Sequence, residues 1–448
     1  MTDGITPVTR QQALSDTAEK VFLQLTGDDA GRVCRDIPES ACDAQPENFL
    51  KHVLALAASK TGDGLADAKL VLAWLLGALG APAFLIGFMV PIREAGALLP
   101  QLVTAGAIRR LPLRKRAWAA GSVVQGLCVG GMGIAALHLE GAALGWTVVG
   151  LLAAMSLGRS VCSVAYKDVL GKTVAKAARG TTTGTASTLS SAAVFAFGAA
   201  LASGALPLTP SVIAGVLILA GGLWILAAAV FLSLAEQPGA TEGGANALEV
   251  ALDHLSLLRS DAQLRRFIAV RGLLTATALA PPFLLALAGR SGTGALGELG
   301  QFVIAAALAA VLSTYLWGRL SDQSSRRVLI RSGLIAGVAL AVAAGLGLSR
   351  PGWLTITGVL PGLLFVLMIA YQGVRLGRAT HVVDMATPER RAAYTALSNT
   401  IIGVWLLTGG ILGVIAEAWG EAILLGLLAS LCMLAAVVAR GLEEVQAT

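Results

Sequence analysis

Charge is scarce in this chain: 13% of its 448 residues are charged while 56% are hydrophobic, and the mean hydropathy is +0.75. No single soluble core absorbs that much apolar surface, so the composition excludes an ordinary globular protein and indicates a polytopic membrane protein. Histidine is scarcer still. His52, His138, His254 and His381 are dispersed, and no HExxH, nucleophile elbow or phosphate loop occurs. An enzyme is therefore the poorest functional class, and no cofactor is implied. Five cysteines, three of them (Cys128, Cys162, Cys432) inside apolar runs, provide no disulfide framework. The first sixty or so residues lack an apolar core before a cleavage site, so no signal peptide is expected. The net charge of +6 does not point to nucleic acid, because Lys and Arg cluster in short loops between apolar runs.

Glycine is abundant, 53 residues, and pairs such as Gly126/Gly130, Gly373/Gly377 and Gly409/Gly413 fit helices that approach closely in lipid. Twelve apolar runs follow one another: 69–90, 94–108, 117–137, 143–165, 181–203, 212–234, 267–288, 299–317, 328–348, 354–372, 393–415 and 422–438. Most are near the ~20 residues a helix needs to cross a bilayer core. Alternate connections, beginning with that between the second and third runs, hold twenty Lys and Arg. The opposite set holds three, Arg93, Arg290 and Arg350. By the positive-inside rule this places both termini in the cytoplasm, in a multi-pass protein of the inner membrane.

Residues 1–66 form an expected cytoplasmic extension. Leu14, Ala18, Val21, Phe22 and Leu25 recur at helical spacing, and Pro46-Glu47-Asn48-Phe49 opens a second amphipathic helix. Between them lie Cys34 and Cys42, with His52 ten residues on. The spacing matches no standard ligand set, so reduced structural cysteines are expected in preference to a metal site. A six-helix bundle over 67–234 then precedes a linker at 235–266, which begins Glu-Gln-Pro-Gly and ends in an amphipathic helix. A second six-helix bundle covers 267–440 and a tail 441–448.

The turn Gly318-Arg319-Leu320-Ser321-Asp322-Gln323-Ser324-Ser325-Arg326-Arg327 is wedged between two apolar runs, and the same register recurs at Gly106 to Lys115, with Arg110 in place of the acid. The halves echo each other again after the fourth and tenth runs. Arg159 precedes Asp168 by nine residues and Arg375 precedes Asp384 by nine, with Arg179 and Arg390-Arg391 at the mouth of the next run.

The turn resembles the signature loop of the major facilitator superfamily of transporters, Gly-x-Leu-Ala-Asp-Arg-x-Gly-Arg-Arg, at Gly318, Leu320, Asp322, Arg326 and Arg327. The resemblance implies an all-α membrane protein with twelve transmembrane helices in two pseudo-symmetric six-helix bundles, which rock about a central cavity. It also implies a cytoplasmic gate: Asp322 accepting from the amides of Gly180 to Thr182 and pairing with Arg375 or Arg378, with Arg159, Asp168, Arg179, Arg326, Arg327, Asp384 and Arg390 beside it. The bland alternative is loop charges that only set topology.

Charge inside a hydrocarbon span marks function by default. Arg93 and Glu94, placed where the first helix turns into the second, serve either as an interfacial anchor or as substrate and proton groups. Arg271 either meets an anionic substrate or snorkels. Gln101, Gln125, Gln301, Tyr371, Gln372 and Asn399 either bind a solute or join helices. The sequence thus reads as a monomeric secondary transporter moving a small organic solute by alternating access, with protons as a candidate coupling ion through Glu94. The rival is a transporter-like scaffold or sensor acting through residues 1–66.

Overall fold

The computed structural model describes residues 10–27, 37, 39–239, 241, 255–290, 299–354, 356–387 and 390–446. Among the described residues ten helices are long and apolar enough to cross a bilayer by length and composition. Two further spans are broken in the middle, which gives twelve. Span 1 is Gln45–Leu65 continued by Val71–Ala78, and span 2 is Ala83–Leu98 continued by Gln101–Arg109. Spans 3 to 6 are Lys115–His138, Gly141–Thr173, Lys176–Ala202 and Pro210–Leu232. Span 7 runs from Ala262–Leu273 into Pro281–Arg290, and spans 8 to 10 are Leu299–Gln323, Ser325–Ser349 and Val359–Asp384. Span 11 joins Arg391–Leu407 to Ile411–Trp419, and span 12 is Glu421–Ala439. Local chemistry sets several starts. Thr209, Asp261 and Ser324 each accept an amide hydrogen bond as N-caps of spans 6, 7 and 9, and Pro210 supplies a preset φ at the first turn of span 6.

The pairing of spans repeats between the halves. Span 3 packs on 6 and 4 as span 9 packs on 12 and 10; span 2 packs on 4 as span 8 packs on 10; span 1 packs on 6 and 5 as span 7 packs on 12 and 11. The two seams that join the halves, span 2 on span 11 and span 5 on span 8, exchange under the same operation. This is the pseudo-twofold, two-bundle architecture the repeat in the sequence requires.

Both seams are built on glycine. A Cβ on Gly87 would stand 2.8 Å from the backbone of Gly413, and one on Gly300 would stand 2.5 Å from the backbone nitrogen of Ala202. These contacts lie toward the end of the bundle away from the basic rim, so the halves close on each other there. At the rim, polar contacts tie each half to itself. Asp168 pairs with Arg114 and, at 2.6 Å, with Lys172, while Glu236 accepts from the amides of Arg114 and Lys115 at 3.0 and 2.8 Å. In the second half the tail returns over the rim: Ser324 donates to Glu444 at 2.6 Å, and Gln446 donates to Asp384 at 2.7 Å.

The expected extension ends earlier than residue 66. Arg10–Thr26 is the amphipathic helix foreseen, with Ala18 and Phe22 buried and Phe22 edge-on to Phe49 at 5.3 Å. The helix from Gln45, however, is the first part of span 1, and its Gly62 lies against Trp224 of span 6. Its charges mask it in a hydropathy scan. The run 69–90 is accordingly not one helix. Asp67 Oδ1 accepts from the amides of Lys69 and Leu70 at 2.9 and 3.0 Å and restarts the helix after a break, and the chain then reverses at Gly80 (φ +71°) before Pro82.

Candidate functional site

A cavity of about 380 Å³ lies between the halves, lined by spans 1, 2, 4 and 5 on one side and spans 8 and 10 on the other. A second space of about 410 Å³, sharing Ala310, Gln372 and Arg375, continues along spans 8 and 10 toward the rim past Trp317 and Gly318. The central cavity is densely charged, with six basic side chains (Lys60, Lys69, Arg93, Arg159, Arg375, Arg378) and three acidic ones (Asp63, Asp67, Glu94) on its wall.

The first half binds most of its own charge. Arg93 Nη2 and Arg159 Nη1 each donate to Asp63 Oδ1 at 2.6 Å, and Arg93 Nη1 reaches Asp67 Oδ2 at 3.4 Å. Lys60 and Asp63, three apart, share one face of the first helix of span 1, and Asp67 follows in the break just past its end. Lys60 donates to Ser187 Oγ on span 5 at 2.5 Å. Lys69 reaches across to the second half, its Nζ 3.8 Å from the centroid of the Tyr371 ring, with Arg375 5.8 Å from the same ring.

The sequence placed Arg93 and Glu94 at a turn, but they lie eleven and twelve residues past Pro82, roughly 16 Å along span 2 and near mid-bilayer. Arg159, Arg375 and Arg378 are not at the rim. Nine residues of helix separate Arg159 from Asp168 and Arg375 from Asp384, about 13 Å, so a rim carboxylate places its repeat-matched arginine deep in the cavity. Tyr371 and Gln372 line the cavity as well. Arg271 is buried in the second half, donating to Ser398 Oγ at 2.8 Å and to Asn399 Oδ1 at 2.7 Å, so it does not snorkel. Gln125 donates to Gly121 O and Cys162 Sγ, both at 3.3 Å, and so joins spans 3 and 4. Gln301 stands beside Gly300 at the closed end of span 8.

At the rim, Arg179 donates to the carbonyls of Val174 and Gly171 at 2.9 and 2.8 Å and closes the end of span 4. Arg391, rather than Arg390, does the same for span 10 by donating to Val383 O at 3.0 Å. Arg390 and Arg327 are exposed, while Arg326 donates to Leu442 O at 3.1 Å and sits 3.5 Å from Glu444. The side chains of Asp322 and Gln101, and Cys34 as a whole, lie outside the described residues. Cys42 is disulfide-bonded, which corrects the expectation of reduced cysteines there. His52 turns into the bundle, its Nε2 2.8 Å from Thr173 Oγ1 and its ring against Tyr166 and Phe231. Among the described residues no cluster of metal-ligating side chains occurs.

Asp63, Asp67, Lys60 and Lys69 were not singled out from sequence, because they fell in the expected extension or at its edge. The available signal was that Lys60 and Asp63 continue the four-and-three spacing of Phe49, Val53 and Leu56 on the helix Gln45–Leu65.

Neither known family models nor curated proteins match the chain. Solved structures do. The nucleoside transporter NupG superimposes with a TM-score of 0.67 at 12% identity, covering 89% of this chain and 100% of that one. A D-xylose-proton symporter gives 0.66 at 11% identity, over 89% and 98%. A peptide transporter POT in complex with sulfate gives 0.63 at 12% identity, over 92% and 98%. At such identities the likeness establishes the fold alone, one shared with these transporters over nearly the whole chain.

Proposed function

We propose that this protein is a secondary active transporter that carries a small organic solute across the membrane by alternating access. The observation that carries the proposal is the charged cavity between two pseudo-symmetric bundles, sealed at one end by glycine seams and continued at the other toward the basic rim. Buried charge at mid-bilayer is costly and is kept where it serves a solute or an ion. The shared fold with nucleoside, pentose and peptide transporters supports the same reading. With the basic rim in the cytoplasm, the conformation described is the inward-facing one.

Glu94 is the proposed proton site. It lines the cavity and, among the described residues, makes no hydrogen bond or close ion pair, whereas Asp63 and Asp67 are engaged by arginines. Solute counterflow into liposomes holding the purified full-length protein tests the transport reading. Flux no faster than in protein-free liposomes, across a panel of metabolites, refutes it. A Glu94→Gln protein whose flux keeps the wild-type dependence on pH refutes the coupling role.

A further inference from the structure

Resting on the transport reading, we infer that the solute is a small organic anion bearing at least two oxyanion groups, carboxylate or phosphate, held between Lys60 and Lys69 of the first half and Arg375 and Arg378 of the second. The case begins with charge. Six basic side chains on the cavity wall face three acidic ones. Two of those acids are already committed: Asp63 is shared by Arg93 and Arg159, and Asp67 accepts from Arg93 and from two backbone amides. Lys60, Lys69, Arg375 and Arg378 make no close ion pair with a carboxylate among the described residues, and the third acid, Glu94, which lies near enough to Lys69 and Arg378 to feel their charges, offsets only one of the four. Their contacts are with neutral groups: the Ser187 hydroxyl for Lys60, the Tyr371 ring for Lys69, and Gln372 Oε1 at 3.5 Å with the Tyr371 ring for Arg375.

Behind them the second half adds another cation. Arg271 is buried, close enough to Arg378 to feel its charge, bonded only to Ser398 and Asn399, and its Nε has no partner. A low-dielectric wall on which the described cations outnumber the acids attracts a mobile anion strongly. Arg375 and Arg378 lie one helical turn apart, a spacing that lets two planar guanidiniums grip one oxyanion by paired N–H donors. Lys60 stands across the cavity beside span 5, and Lys69, also carried by span 1, reaches over to Tyr371 beside Arg375. A second oxyanion on the same molecule reaches the lysines, so a divalent solute bridges the halves, and its binding energy acts on their relative position.

Isothermal calorimetry on the full-length protein in detergent, with succinate, citrate and inorganic phosphate as probes and xylose and uridine as neutral controls, tests this. Saturable binding of at least one anion that weakens with added salt is expected, with none for the controls. Arg375→Gln and Arg378→Gln should each weaken that binding roughly ten- to a hundredfold, the worth of a charge-assisted hydrogen bond. Arg375→Lys should restore part of it, and unchanged melting of these variants shows that they fold. No saturable binding of any of the three anions at millimolar concentration overturns the inference. So does a neutral control that binds equally to wild type and both variants. Anion binding without counterflow supports the anion site while refuting transport; counterflow of xylose or uridine indifferent to Arg375→Gln supports transport and overturns the anion.

Discussion

Asp63→Asn is the most informative single change. The wild-type carboxylate is shared by two guanidiniums, each 2.6 Å from Oδ1. Asparagine keeps the shape and removes the charge, so Arg93, whose side chain is 10% exposed, retains only the longer contact with Asp67 at 3.4 Å. Removing one partner of a buried ion pair costs about 3–5 kcal/mol. Here the cost falls below that range, about 2–3 kcal/mol, because Asp63 is 24% exposed to the cavity and Asp67 still answers Arg93. Arg159, 37% exposed, is solvated when freed and adds little. In a chain of this size 1 kcal/mol moves the midpoint by roughly 1–2 °C, so melting should fall by about 2–6 °C. The protein supplies its own probe. Cys128, Cys162 and Cys432 are buried and free, so a thiol-reactive fluorophore reports unfolding. The double variant Asp63→Asn/Arg93→Gln removes the orphaned cation and should recover part of the loss. A single variant that melts within about 1 °C of wild type, or a double variant no better than the single, refutes the ion-pair account.

Further outcomes follow from other parts of the molecule. Gly413→Ala places a methyl 2.6 Å from the Phe84 backbone and should destabilise by about 1–3 kcal/mol, whereas Gly222→Ala, which meets nothing within 4 Å, should be neutral or stabilising in the same melt. Burial works to raise the Asp261 carboxyl, but hydrogen bonds from Tyr394 and from the amides of Leu264 and Gln263, with the Arg265 charge, hold it below its ordinary value. A depressed carboxyl stabilises above its unfolded value, about 4, and loses that contribution as pH falls through the folded one. The melting difference between wild type and Tyr394→Phe should therefore be largest at neutral pH and shrink in acid; a difference independent of pH refutes it. Truncation after Arg440 removes the contacts of Glu444 and Gln446 with Ser324, Ser325 and Asp384, so amide exchange should quicken at the start of span 9. Unchanged exchange there would show the tail to be idle.

Architecture was legible in this sequence wherever helices are uniformly apolar. Most of spans 3 to 12 match their hydrophobic runs to within about six residues, but spans 4 and 10 continue eight and twelve residues past theirs, to Thr173 and Asp384, and the halves announce themselves through Arg159/Asp168 and Arg375/Asp384. Span 1 was obscured by its cavity-lining charges: Lys60 and Asp63 on its first helix and Asp67 and Lys69 in the break that follows lower the hydropathy of a span that still packs apolar residues against spans 5 and 6. The error then propagated, because a helix begun twenty-four residues late, at Lys69 in place of Gln45, puts Arg93 at a turn instead of at mid-span. The repeat paired the right arginines, but a linear motif carries no depth, and the rise of a helix was needed to move them from rim to cavity.

The seams at the sealed end join backbone to backbone and to apolar side chains, around Gly87 with Gly413 and Gly198 with Gly300. A closure made this way has no electrical handle. Among the described contacts of these seams none is charged, so membrane voltage, salt and proton concentration have little there to act on.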